Sequence, residues 1–490
     1  MIANLKPYPA MKNFGVPWLG EVPEHWEVRR LRNAAEMRVS NVDKHMRDGE
    51  LPVRLCNYVD VYKHDRIRLQ MPFMCATASS DEIARFHLES GDVLITKDSE
   101  AWNDIGVPAL VEETADDLIC GYHLALLRPQ RDRLHGEYLF RALQSTGVAY
   151  QFHVQANGVT RYGLSHAAIK SIWLPLPPLS EQTAIVRFLD HANRRIERYI
   201  RAKKRLIALL NEQKQAIIHR AVTRGLDPNV RLKPSGVPWL GEIPEHWETI
   251  SLGAASELIQ TGPFGSQLHS HEYVEGGIPV INPSHLRDGR IVPDMSITIQ
   301  QSKVSELERH KLRVGDIVAA RRGELGRCGL VTATEQGWIC GTGSLRICCK
   351  TTLYDSTYLA RLFSSQGVRD LLSLSSIGAT MDNLNAGMVA RLRLPLPPLD
   401  EQHRIVRLIE AEEKQSGSAV SIIEREIALI REYRTRLVAD VVTGQFDVRE
   451  AVGKLPEEPR DEDVELVEES TGGDDEPGEF EDPAGSGTIG

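Results

Sequence analysis

"GVPWLGEVPEHWE" fills residues 15–27, and "GVPWLGEIPEHWE" fills residues 236–248. Only Val22 and Ile243 differ, at an offset of 221 positions. A repeat of this kind governs how the whole chain is read, because it sets the number of structural units. Two further matches follow. "LPLPPLSEQTAIVRFLD" (174–190) returns as "LPLPPLDEQHRIVRLIE" (394–410), and "AVTRGLD" (221–227) returns as "VVTGQFD" (441–447), both at an offset of 220. Two copies are too few to stack a solenoid, so the pattern is one long duplication.

The intervening stretches match poorly. Short echoes remain: "SGDVLI" (90–95) against "VGDIVA" (314–319), "LICGYH" (118–123) against "WICGTG" (338–343), and "GVT" (158–160) against "GAT" (378–380). These are short β-like runs beside glycine turns, the positions that hold a shared scaffold. The two copies therefore keep a frame and differ where loops present side chains. Paired tasks with different targets would produce that.

After each "LPLPPL" the texture becomes helical, since prolines stop and Glu and Gln follow. Ser180 and Asp400 are expected N-caps. Leu189, Ala192, Ile196, Tyr199, Lys203, Leu206, Leu210, Gln213 and Ile217 then alternate by three and four. Val420, Ile423, Ile427, Ile430, Arg434, Leu437 and Val441 do the same. That period predicts a coiled-coil seam, with Lys203, Gln213 and Arg434 fixing register. The duplication favours two long helices paired antiparallel about a pseudo-twofold axis. Amphipathic helices packed separately on their own domains are the alternative.

With 490 residues and 41% apolar content the chain has room for several soluble domains. It lacks an eighteen-residue apolar run and a signal-peptide pattern at its start, and its seven cysteines show no metal-ligand spacing. Reduced thiols and a cytoplasmic location are expected. The net charge of −10 is concentrated in the tail. Residues 451–490 carry fourteen Asp or Glu against Lys454 and Arg460, so the body is near neutral. The tail's composition predicts disorder. By contrast "RRIERYIRAKKR" (194–205) is a basic helical run, either a solvated face or a surface for a phosphate backbone.

These phrases, twice over and in order from residue 12 to about 447, resemble the specificity subunit of type I restriction–modification systems. "TGPFGSQL" (261–268), "LRVGDIVAARRGELG" (312–326), "HLALLRP" (123–129) and "NGVTRYGLS" (157–165) add to the resemblance. It implies an α+β chain in which two mixed α/β target-recognition domains are separated by the paired helices. Each domain would read one half of a split double-stranded DNA sequence. The helices would set the gap and dock two copies of a DNA adenine methyltransferase subunit, with restriction and translocase subunits able to join. The family's specificity chain performs no chemistry: S-adenosylmethionine, and ATP and Mg where a restriction subunit is present, belong to the partners. On this reading residues 1–27 are the first repeated segment, 28–175 the first recognition domain and 176–227 the first spacer helix. Residues 228–248 are a linker with the second repeated segment, 249–395 the second recognition domain, 396–447 the second spacer helix and 448–490 an acidic tail.

Base reading needs donors and acceptors that reach base edges. In the first domain the candidates are Asn57, Tyr58, Lys97, Ser99, Thr160, Arg161 and Tyr162, with Asp98 and Glu100 in the same loops. In the second they are Ser266, Gln267, Arg321, Arg322, Arg327, Thr380 and Asn383. Phosphate contacts or plain turn positions are the alternative for each. Helices of about 60 Å cap the spacing of two reading heads at about 18 base pairs of 3.4 Å each. An interrupted target with a fixed gap is expected.

Two other classes of protein fit parts of this pattern. An enzyme acting on DNA would need motifs the chain lacks: a G-x-x-x-x-G-K-[ST] loop, an adenine-methyltransferase signature, an HExxH or a nucleophile elbow. "NPSH" (282–285) lacks the aromatic stacker, and "EEK" (412–414) lies in a helical region. A coiled-coil scaffold for two protein partners explains the repeat equally well but not the arginine-bearing loops. For the repeated phrase, Trp18, Pro23 and Trp26 are expected to clamp a domain entrance, Trp on Pro, as are Trp239, Pro244 and Trp247.

Overall fold

The computed structural model describes residues 5–287, 289–376 and 384–456. It is a mixed α/β fold that divides into two compact units. One takes residues up to Glu197 together with those from Arg431 onward, and the other takes Arg198–Ile430.

The first unit is built on a five-stranded sheet in the order Ala35–Val39, Leu124–Pro129, Val93–Thr96, Pro108–Val111, Arg66–Ile67. Val93–Thr96 is buried throughout and pairs antiparallel with both neighbours. A three-stranded sheet sets Leu51–Cys56 between Leu118–Cys120, parallel to it, and Met74–Ala78, antiparallel. The second unit repeats the plan with shorter pieces. Ile317–Ala320 lies between Ser344–Cys349 and Cys328–Leu330, and Ile339–Cys340 runs parallel to Ile278–Ile281.

The sequence echoes occupy matching places in these sheets. Asp92 of "SGDVLI" is buried and accepts from Arg128 Nε and Nη2 at 2.9 and 2.7 Å. Asp316 of "VGDIVA" is buried and accepts from Arg346 Nε at 2.6 Å. A buried carboxylate left alone would be costly, so each aspartate and its arginine persist as a pair. The glycine of "ICG" also has a reason. A Cβ on Gly121 would sit 2.7 Å from Asn57 Oδ1, and one on Gly341 would collide with Asn282 Oδ1.

Two long helices run over Leu179–Arg224 and Leu399–Val442. Both start one residue before Ser180 and Asp400, so neither residue is the expected N-cap. The first turns are held by Pro178 and Pro398, whose carbonyls accept Gln182 N–H and Gln402 N–H, each at 3.0 Å. The helices pack together in both units. Within the first, Arg434 reaches Glu197 at 3.7 Å; within the second, Lys203 Nζ meets Glu426 at 2.7 Å. Lys203 and Arg434, charged interruptions of the apolar repeat, are thus each paired with a glutamate of the other helix. Ile196, Ile423, Ile427, Leu437 and Val441 are buried, but Tyr199 and Leu206 are 52% and 42% exposed. The buried stripe is narrower than the periodicity predicts.

The three repeated phrases meet in one place within each unit. In the first, buried Trp26 donates its indole N–H to Glu181 Oε2 at 3.0 Å, and His25 Nε2 lies 2.7 Å from Glu181 Oε1. Gln182 Nε2 donates to the Pro177 and Arg133 carbonyls at 2.9 and 2.8 Å. Gly444, with φ +76°, closes the knot: a Cβ there would collide with Pro23. In the second unit Trp247 and His246 each reach Glu401 Oε2 at 2.9 Å. Gln402 donates to the Pro397 and Leu353 carbonyls at 2.9 and 2.8 Å. Gly225, with φ +74°, would place a Cβ 3.2 Å from Trp247. Each knot therefore takes its "PEHW" and "EQ" from one copy of the repeat and its closing glycine from the other copy.

This corrects one expectation. Pairing by a constant offset of 220 matches Gly225 with Gln445, whereas Gly444 is its structural counterpart. Pro23 and Trp26 both border the place a Cβ on Gly444 would take, as Pro244 and Trp247 do for Gly225, so the Trp and Pro of one phrase come together around the other copy's glycine. Trp18 instead sets its ring 5.1 Å from that of Tyr150, and the buried indole N–H of Trp26 is met by a carboxylate from outside its own phrase, Glu181.

Candidate nucleic-acid interface

Strand pairing gathers the first unit's candidates. Asp98–Ser99 pairs antiparallel with Tyr162–Gly163, which pairs with Asn157–Gly158. Lys97, Ser99, Thr160, Arg161 and Tyr162 are thereby brought to one edge. Asn57 ends the strand Leu51–Cys56 and opens the helix Tyr58–Lys63, its N–H donating to Asp60 Oδ2 at 2.7 Å. Burial pushes the Tyr58 hydroxyl above its usual pKa, against the lowering hydrogen bond with Ser99 and the positive charge of Arg161. That ties the third loop to the other two.

His123 joins them and was not singled out from the sequence. Its Nδ1 lies 2.7 Å from Asp98 Oδ2, and its Nε2 lies 3.3 Å from Arg161 Nη2. Asp98 Oδ2 also accepts from Lys97 Nζ at 2.9 Å. With Nδ1–H donated to the carboxylate, Nε2 carries the lone pair that Arg161 needs. The result is a chain, Lys97–Asp98–His123–Arg161. Burial lowers the His123 pKa; the hydrogen bond to Asp98 opposes this, and the charges of Arg161 and Lys97 add to it. Burial raises that of Asp98, but the hydrogen bonds from His123 and Lys97 outweigh it and hold the carboxyl low. His123 is the one non-glycine residue with left-handed backbone among the described residues, at φ 69°. Such a conformation persists only where its surroundings fix it. The "ICG" echo ends two residues before it and is the signal that could have found it.

A cleft of about 630 Å³ opens beside this chain, with Asn41, Lys44, Asn57, Tyr58, Tyr122 and His123 on its wall. The Tyr58 and Tyr62 rings stack at 5.6 Å, and Tyr62, Trp102 and Tyr122 are exposed. Exposed rings next to cationic side chains suit nucleic-acid binding. Thr160 and Arg161 are exposed, whereas Ser99 is buried, its hydroxyl accepting from Ala101 N–H at 3.3 Å.

The second unit also assembles its loops at one sheet end. Gly262 N–H donates to the Ser344 carbonyl and Arg321 N–H to the Gly343 carbonyl, both at 3.0 Å, and Leu384 N–H donates to the Arg321 carbonyl at 2.9 Å. The arginines differ in their freedom. Arg321 spends its guanidinium on the Leu384 and Thr342 carbonyls at 3.1 and 3.5 Å. Burial, with the neighbouring charge of Arg322, lowers its pKa. Arg327 is ion-paired with Glu324. Arg322 is exposed and has no ion-pair partner among the described residues. Gln267 follows the exposed Phe264 in the turn Gly265–Gln267. The Ser266 side chain, Thr380 and Asn383 lie outside the described residues, as does the tail from 457 onward.

His269 and His271 stack on each other at 5.4 Å. Among the described residues no group of three His, Cys, Asp or Glu could hold a metal ion. No helix among them is long and apolar enough to cross a membrane.

The family model for the type I restriction modification DNA specificity domain matches residues 71–204 and 244–418. The type I restriction enzyme MjaVIII specificity subunit of Methanocaldococcus jannaschii is 22% identical over 434 residues, which cover 87% of this chain and 94% of that protein. The EcoKI specificity subunit of Escherichia coli K12 is 23% identical over 470 residues, covering 90% and 96%. A solved chain from a study of complex assembly and conformational transition in the type I R-M system is similar at a TM-score of 0.64 and 18% identity. It covers 87% of this chain and 99% of that one. That last likeness is one of fold.

Proposed function

The chain belongs to the type I restriction modification DNA specificity family, and from that premise we propose that it reads a split, asymmetric duplex target, one half with each globular region (28–175 and 249–395). One observation carries the reading. The two units share a frame down to the Asp–Arg pair and the Asn–Gly contact, yet present different side chains at equivalent sheet ends. The first offers a His–Arg–Lys chain with exposed tyrosines, and the second offers an exposed Arg322 that no carboxylate holds among the described residues.

The helices 176–227 and 396–447 pair antiparallel as a coiled coil and set the gap between half-sites. Their ion pairs support this: Glu197 goes with Arg434 and Lys203 with Glu426, so numbers rise along one helix as they fall along the other. Two knots of the same design favour a pseudo-twofold frame with equivalent seats for two copies of a DNA adenine methyltransferase subunit. Within Arg198–Ile430, Tyr199, Leu206, Ile422 and Leu429 are exposed apolar residues on the two helices, as a docking flank for protein would be. Methyl transfer with S-adenosylmethionine, and any ATP- and Mg-dependent cleavage, fall to partner subunits in the cytoplasm; this chain supplies the address.

Co-expression with the cognate methyltransferase in a methylation-free bacterium, followed by genome-wide mapping of modified adenines, tests the proposal. A single bipartite motif with a fixed gap is expected. A stable complex that modifies no motif would refute it.

A further inference from the structure

The first long helix carries two kinds of surface within the unit Arg198–Ile430. At about 100° per residue, Lys203 marks the side that meets the second helix, through Glu426 at 2.7 Å. Tyr199 and Leu206, 52% and 42% exposed, flank that side. Arg198, Arg201 and Arg205 follow the three- and four-residue spacing of a single helix face, roughly half a turn round from Lys203. All three are exposed, and none has an ion-pair or hydrogen-bond partner among the described residues. Lys204, also exposed, stands at their edge.

Three exposed guanidinium groups follow one another along a single crest. Elsewhere in this unit arginines near carboxylates are used: Arg346 on Asp316, Arg361 on Glu413, Arg327 on Glu324. The crest spans about 10 Å at 1.5 Å per residue, close to three base-pair steps of 3.4 Å. Guanidinium groups match phosphate oxygens in geometry and charge. The apolar flank, by contrast, suits a protein. We propose that Arg198, Arg201 and Arg205 hold the phosphate backbone of the unread DNA between the half-sites. This inference rests on the reading of the chain as a DNA-recognition subunit. The crest would add affinity without sequence information, since backbone contacts position and base contacts specify.

The test uses the full chain and a triple variant, Arg198→Gln with Arg201→Gln and Arg205→Gln. Both are titrated against the mapped target, and against the same duplex with uncharged methylphosphonates in the gap alone. The wild type should weaken on the neutral-gap duplex, and the variant should not distinguish the two. Its salt dependence should be shallower by about 0.9 in log–log slope for each phosphate released, up to about 2.7. Half-site preference should stay unchanged.

Equal losses by both proteins on the neutral-gap duplex would overturn the proposal. So would a defect seen only in assembly with the methyltransferase subunit, which would make the crest a protein contact. A gain in wild-type affinity on removing residues 457–490, absent from the triple variant, would assign the crest to the acidic tail instead. A wild type with no sequence preference at all would remove the underlying reading, a result distinct from the others. Circular dichroism and thermal unfolding should match between the proteins, because the substituted side chains are exposed and unpaired.

Discussion

Trp26 donates its buried indole N–H to Glu181 across 155 positions of sequence, at 3.0 Å. Tyr8 donates to the same oxygen at 2.9 Å, His25 reaches the other at 2.7 Å, and Arg449 approaches it at 3.4 Å. Burial by itself raises the Glu181 pKa, but the hydrogen bonds from Trp26, His25 and Tyr8 outweigh it and hold the carboxyl below its ordinary value. Glu401 has the Trp247 and His246 contacts alone among the described residues.

Glu181→Ala should therefore cost about 3 kcal/mol, because it strands two buried donors, and Glu401→Ala should cost less. Denaturant unfolding of both variants, followed by tryptophan fluorescence, compares them. A group whose pKa is depressed in the folded state stabilises above its unfolded pKa and loses that contribution as pH falls through the folded pKa. The wild type's advantage over Glu181→Gln should shrink in acid. An advantage that grows as pH falls would contradict the assigned role.

Closing glycines give a second prediction. Gly444→Ala and Gly225→Ala both need left-handed backbone, and the added Cβ meets Pro23 in one case and Trp247 in the other. Each should destabilise by more than about 1 kcal/mol. Gly417 sits inside the second long helix with nothing within 4 Å of its would-be Cβ. Gly417→Ala should instead stabilise, by up to about 1 kcal/mol. Thermal unfolding separates the two signs.

The aim of Arg161 should depend on pH. Neutral His123 offers Nε2 to Arg161, and protonation replaces that lone pair with a positive charge. The His123 pKa is lowered in the folded protein, so the neutral form is retained to lower pH than for a free imidazole. Below that range, discrimination at the first half-site should fall while binding to unrelated DNA rises with the added charge. Second half-site discrimination should be unaffected. His123→Phe should show the loss at every pH, and competition binding with each half-site altered in turn measures it.

Arg321 and Arg322 should separate cleanly. Arg322→Ala should cost roughly 1–3 kcal/mol of binding and relax one position of the second half-site, if the side chain reads a guanine. A phosphate contact would weaken all sequences alike. Arg321→Ala should chiefly lower stability, since its guanidinium is committed to two backbone carbonyls. Binding and unfolding measured on the same two variants resolve the roles.

Much of this protein was legible in its sequence. The duplication, the long helices after "LPLPPL" and the divergence of the reading loops follow from local rules: proline stops a helix, apolar periodicity makes one, and a repeated phrase implies a repeated frame. Lys97, Arg161 and Asn57 could be listed as candidates because their residue types and glycine turns are local features. Their assembly could not. Strand pairing joins Ser99 to Tyr162, and a backbone turn brings His123 between Asp98 and Arg161, through hydrogen bonds with no counterpart in linear spacing. Tertiary structure also decided which arginines are free, because Arg321 and Arg322 are neighbours in sequence and only folding commits the half-buried Arg321 to the Leu384 and Thr342 carbonyls. It decided too that each knot borrows its closing glycine from the opposite copy. A buried indole N–H must find an acceptor wherever the fold brings one, and the chain around it does not say where that will be.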